Sequence, residues 1–86
     1  MKHTKKLLPE FFQQILDGHK HYELRLADWK CSEGDILVLK EWDPSKEAFT
    51  GRVLEKTISK VVKTKDVKFW SPEQVEEHGF QILSFR

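Results

Sequence analysis

Phe11-Phe12-Gln13-Gln14-Ile15-Leu16-Asp17-Gly18-His19-Lys20-His21-Tyr22-Glu23-Leu24-Arg25-Leu26 changes its hydrophobic period in mid-course, and that change decides the fold class. Phe11, Phe12, Ile15 and Leu16 recur at the spacing of one helical face. Pro9 suits the first helical position, Glu10 the positive end of the helix dipole, and Gly18 a C-terminal stop. The spacing predicts a short amphipathic helix over residues 9–17. From Lys20 the period is two, with Tyr22, Leu24 and Leu26 on one parity and His21, Glu23 and Arg25 on the other. That alternation predicts a half-buried strand. A helix running directly into a strand makes the class α+β.

Upstream, residues 2–8 form a short expected strand that stops at Pro9. Downstream, Glu33-Gly34-Asp35 is a turn signal before Ile36-Leu37-Val38-Leu39, a continuous apolar run suited to a strand covered on both faces, as barrel closure would cover it. Asp43-Pro44-Ser45-Lys46 is a second turn. The β-branched residues from Phe49 to Val62 predict a long strand, or a strand with a bulge around Gly51, forming a hairpin with its predecessor. Residues 63–68 resemble a loose polar loop. Ser71-Pro72-Glu73-Gln74 offers an N-cap, a first-position Pro and a capping-box Gln, with Gly79 as the stop, so a brief helix is expected there. The alternation over residues 80–85 predicts a closing strand. The expected architecture is a strand and a helix, then a mainly antiparallel meander with a short helix before its last strand.

The 86 residues suffice for one modest core, so a single domain over residues 1–86 is expected, presumed monomeric. No run of roughly 18 apolar residues offers a membrane span, and Lys2, Lys5 and Lys6 are not followed by a signal-peptide core. Both observations predict a cytoplasmic protein. Cys31 has no partner for an intrachain disulfide, and stability must come from packing. The formal net charge of +1 means that any nucleic-acid binding must use a local patch. Most of the three Trp and six Phe are expected in the core.

Chemistry concentrates in Lys20, Glu23 and Arg25. Lys and Arg can hold phosphate or a base carbonyl, and Glu can accept from an exocyclic amine. Residue chemistry alone favours a solvated strand face on which Glu23 and Arg25 pair with each other or with neighbours across the sheet. His3, His19, His21, His78 and Cys31 are of zinc-ligand type, yet His19-x-His21 has no second pair at ligand spacing, so no metal is expected. Lys56, Lys60, Lys63, Lys65 and Lys68 could follow a phosphate backbone, but Glu55 and Asp66 interrupt them and edge-protecting lysines are the simpler reading. Trp42 and Trp70 are candidate stacking platforms, though Trp42 is expected to pack under the turn at Pro44.

The stretch Gly18-His19-Lys20-His21-Tyr22-Glu23-Leu24-Arg25 resembles the G-x-K-x-x-E-x-R signature of ASCH domains, in the PUA-like superfamily, placed after the first helix as theirs is. His3 and Lys6, Pro9-Glu10-Phe11-Phe12, Gly34-Asp35, Glu41-Trp42-Asp43-Pro44 and Thr50-Gly51-Arg52 resemble, in that order, the pattern of short stand-alone ASCH proteins of bacteria and phages. The likeness covers close to the first two-thirds of the chain, and Gly79-Phe80-Gln81-Ile82-Leu83 looks like their last strand. It implies a small PUA-like β-barrel with a cleft lined by Lys20, Glu23 and Arg25, and with His3, Lys6, Asp28, Trp29 and Arg52 as further contacts. RNA, or a nucleotide-like piece of it, is the implied ligand, without a cofactor. Some relatives are amidohydrolases acting on N4-acetylcytidine, with Thr three residues after the signature Lys. Here that place holds Glu23, so the resemblance implies a binding module first and a hydrolase second. Ala27 and Trp29 also depart from the Asn and Arg that relatives carry around the match to Asp28, and Trp29 could stack on a base instead. A third reading, from exposed aromatics and strand edges, is a protein-interaction domain.

Overall fold

The computed structural model describes residues 1–85. It is an α+β arrangement of three strands and two helices: β1 (Lys2–Leu7), α1 (Pro9–Leu16), β2 (Ile36–Asp43), β3 (Ala48–Thr57) and α2 (Pro72–His78), with one 3-10 turn at Thr64–Asp66. The sheet order is β1-β2-β3. β2 and β3 form the expected antiparallel hairpin, whereas β1 lies parallel to β2. Parallel pairing follows from the connection, because α1 and residues 17–35 carry the chain back to the end of the sheet from which β1 started.

α1 starts at Pro9 and buries Phe12 and Ile15, the two positions of its apolar face that meet Leu7, Leu37 and Leu39. Trp29, Leu54 and Ile58 pack around this cluster. Gly18 closes the helix with φ 74°, where its own N–H bonds the Ile15 carbonyl and the following His19 N–H bonds that of Gln14. α2 has the expected reciprocal capping box, in which the Ser71 side chain accepts from the Gln74 N–H and the Gln74 side chain from the Ser71 N–H.

The register of the hairpin slips between Lys40 and Trp42. Lys40 faces Val53 and Trp42 faces Phe49, so Glu41 stands against Thr50, Gly51 and Arg52. This is the bulge expected around Gly51, whose φ of 97° is open to glycine at little cost. A Cβ there would meet nothing within 4 Å. Gly51→Ala should therefore lose about 1–2 kcal/mol through backbone strain alone, read from urea unfolding. Stability equal to the wild type would remove the left-handed bulge.

Two expected strands are absent. Residues 19–26 are irregular and join no ladder, and the expected apolar parity does not turn inward. Leu24 is 66 % exposed and Leu26 81 %, while Glu23 and Arg25 of the opposite parity are partly buried. Lys20, which shares the parity of the leucines, is buried. The cause is local polar bonding that competes with strand pairing. Glu23 pairs with Lys20 and Arg25, the His21 ring bonds the Gly18 carbonyl, and Arg25 donates to the Lys6 carbonyl. Residues 80–85 likewise make no ladder and are exposed. The sheet is accordingly open, with β1 and β3 as its edges. The Cα radius of gyration, 14.9 Å, exceeds the roughly 12 Å of a close-packed chain of this length, and α2 makes no substantial contact with the sheet or with α1. Among the described residues no helix is long and apolar enough to cross a membrane.

Candidate functional site: a cationic cleft beside the first helix

The cleft is built by the end of α1, the irregular segment that follows it, and the chain leaving β3. Gly18 turns the backbone sharply, so Lys20 folds back under α1 rather than continuing away from it. Its ammonium lies 4.8 Å from the Phe11 ring centroid and 5.3 Å from that of Tyr22. Such a buried cation needs a partner. Glu23 supplies it, its Oε1 accepting from Lys20 Nζ at 3.0 Å while Oε2 accepts from Arg25 Nε at 2.7 Å. Arg25 spends a second N–H on the Lys6 carbonyl, which ties the segment to β1. One carboxylate thus holds two cations in the wall of a single cleft.

The cleft measures about 650 Å³, within the range of small-molecule sites. Tyr22 and Trp29 add aromatic surface and Leu37 and Leu39 an apolar floor. The opposite wall is the end of β3, which supplies Lys56, and the chain that follows it, which supplies Lys60 and Lys63. Five cationic side chains, Lys20, Arg25, Lys56, Lys60 and Lys63, therefore line a cavity whose one carboxylate, Glu23, is already engaged. Sequence pattern alone assigns these three lysines to edge protection. Lys56 reaches the cleft through its place opposite Leu37 in the hairpin, and Lys60 and Lys63 through the course of the chain after Thr57, which no local pattern signals.

The other sequence candidates divide. Trp29 lines the cleft, and His3 lies behind it, with ring centroids 5.0 Å apart. His3 Nε2 bonds Asp35 at 2.8 Å, and that bond, with the Ser32 N–H, lowers the Asp35 carboxyl from 3.8 to about 2. Asp28 is exposed and lines no part of the cleft. Lys6 reaches the site only through its carbonyl, since its ammonium sits 3.9 Å over the Trp42 ring, on the other face of the sheet.

Arg52 lies elsewhere and has a structural task. Its Nε and Nη2 make a two-pronged contact with Glu41, at 2.9 and 2.7 Å, while Thr50 donates to the same carboxylate and Arg52 Nη1 to Gln13 of α1 at 3.3 Å. This fork pins α1 to the bulge. It draws the Glu41 carboxyl from 4.5 down to about 2 and raises Arg52. Among the described residues no three His, Cys, Asp or Glu side chains cluster as metal ligands.

Fold and site define a small α+β domain with a cation-lined cleft. Residues 2–85 match a family described as a domain of unknown function (DUF3850), and the chain belongs to that family. It is also similar to a protein of Escherichia phage P2, described as an uncharacterized 12.9 kDa protein in the GpA 3′ region, with 36% identity over 76 residues. That alignment takes in 88% of this chain and 65% of the phage protein's length. No solved structure matches the chain.

Proposed function

We propose that this chain is an ASCH-like binding module that holds RNA, or a nucleotide-sized piece of it, in the cleft of Lys20, Glu23 and Arg25. The observation that carries the reading is the excess of cations in a cavity of nucleotide size, walled by Tyr22 and Trp29. Lys20 and Arg25 meet anionic or carbonyl oxygens, Glu23 accepts from a base amine, and the aromatic rings take the base. Lys56, Lys60 and Lys63 attract phosphate at the mouth. The PUA-like barrel belongs to the same proposal: residues 80–85 alternate as a strand does and β1 and β3 are open edges, so closure joins the two.

Titration with ribonucleoside 5′-monophosphates tests the cleft. Lys20→Ala and Arg25→Ala should each weaken binding roughly 10- to 100-fold, the worth of one charge-assisted hydrogen bond. Affinity unmoved by both substitutions would sink the reading. The salt dependence should be shallow, because a local patch neutralises few phosphates.

A hydrolase reading has one observation in its favour, the Lys20 ammonium held between the Phe11 and Tyr22 rings. Against it, the ammonium is bound by Glu23 at the place where the hydrolases carry Thr. Wild-type protein should therefore leave N4-acetylcytidine intact in a product assay. Turnover abolished by Lys20→Ala and by Glu23→Thr would make the enzyme reading the correct one.

A further inference from the structure

The sheet has two faces, and α1 covers only the one that carries Leu7, Leu37 and Leu39. On the other, Lys6 of β1 stands opposite Lys40 of β2, and Trp42 of β2 opposite Phe49 of β3. Phe49 and Val53 are half exposed there. The Trp42 and Phe49 rings meet edge to face with centroids 5.0 Å apart. The Lys6 ammonium lies 3.9 Å from the Trp42 centroid and 5.8 Å from that of Phe49, and the Lys40 ammonium 5.9 Å from Phe49. Among the described residues neither lysine makes an ion pair, while Glu55, the acid on the same face, is engaged by Lys2 at 2.9 Å. Cations and rings are therefore placed together with no acid among the described residues paired to these two lysines.

We infer that this open face docks single-stranded nucleic acid, with Trp42 and Phe49 stacking on bases and Lys6 and Lys40 meeting the flanking phosphates. Charge complementarity selects a polyanion, and the exposed Phe49 ring beside the partly exposed Trp42 ring selects one whose bases are unstacked. A duplex offers a flat sheet only its backbone. Base stacking on an aromatic ring outweighs an exposed cation–π contact, so an arriving base displaces the Lys6 ammonium from the Trp42 face and frees it for a phosphate a few ångströms away. The surface lies across the sheet from the cleft and does not depend on what the cleft holds.

Fluorescence anisotropy with a labelled oligouridylate, against a duplex of equal length, tests this on the full chain. The single strand should bind more tightly. Phe49→Ala and Trp42→Ala should each cost roughly tenfold in affinity, Trp42→Phe much less, and Lys6→Ala and Lys40→Ala should each lower the salt slope by about one. Phe49 can be removed without opening the core, so unchanged affinity in folded Phe49→Ala overturns the inference, as does equal binding of duplex and single strand. Wild-type protein that binds the oligonucleotide but no mononucleotide upholds this face and removes the cleft. The converse overturns this face and leaves the cleft standing.

Discussion

Phe12→Ala should abolish most of the cooperative unfolding of this protein. Phe12 is 1 % exposed and is the central ring of a core whose other buried members are Leu7, Ile15, Leu37 and Leu39. Truncating a buried Phe costs about 3–5 kcal/mol in transfer and cavity terms. A domain of this length has a total stability of roughly 4–13 kcal/mol, so that loss is a large share of the whole. The ring also lies 4.7 Å from the Arg52 guanidinium carbon, so its removal loosens the fork on Glu41 as well. Phe11, one position away and 38 % exposed, provides the contrast. Phe11→Ala should cost less, about 1–2 kcal/mol, since more than a third of its surface stays in water and its removal leaves no enclosed cavity. Urea denaturation followed by circular dichroism reads both, and equal losses would show that α1 is not packed through Phe12.

The sequence features that predicted structure correctly are those whose cause is local. Pro9 and Gly18 bound α1, Ser71 and Gln74 cap α2, and Gly51 marks the bulge, because each depends on backbone geometry within a few residues. The segment 19–26 shows where this stops. Its alternation distinguishes two parities but does not say which one turns inward. Hydrophobicity assigns Tyr22, Leu24 and Leu26 to the core, yet Glu23 and Arg25 of the opposite parity turn inward, where the Glu23 carboxylate accepts from both Arg25 and the buried Lys20. Glu41 carried a signal of another kind. It shares the inward parity of Leu37 and Leu39, and a carboxylate on the core side of a strand requires a partner. The partner, Arg52, lies eleven positions on across a bulge, so its identity depends on register rather than pattern. The cleft divides in the same way: one wall is a contiguous motif, and the lysines of the other arrive by tertiary placement.

The Glu41 fork and the His3–Asp35 pair together predict how the protein fails in acid. Both carboxyls are held at about 2, Glu41 chiefly by Arg52 and Asp35 chiefly by His3. In the unfolded chain they return to ordinary values near 4. A carboxyl with a depressed folded value contributes stability above its unfolded value and loses it as pH falls toward the folded one. Stability should therefore hold above about pH 4 and drain between about pH 4 and pH 2. Near pH 3 the unfolded chain binds a proton at each site and the folded chain does not, so these two groups should add close to two protons to the uptake on unfolding. The pH dependence of the urea midpoint measures that uptake. Glu41→Gln removes one titrating group and should lower the count by about one, while weakening the protein at neutral pH because Arg52 loses its charged partner. Arg52→Met leaves Glu41 buried without its fork and should move the acid transition to higher pH. Proton uptake unchanged in Glu41→Gln would place the acid-sensitive contact elsewhere and remove the fork from the account of stability.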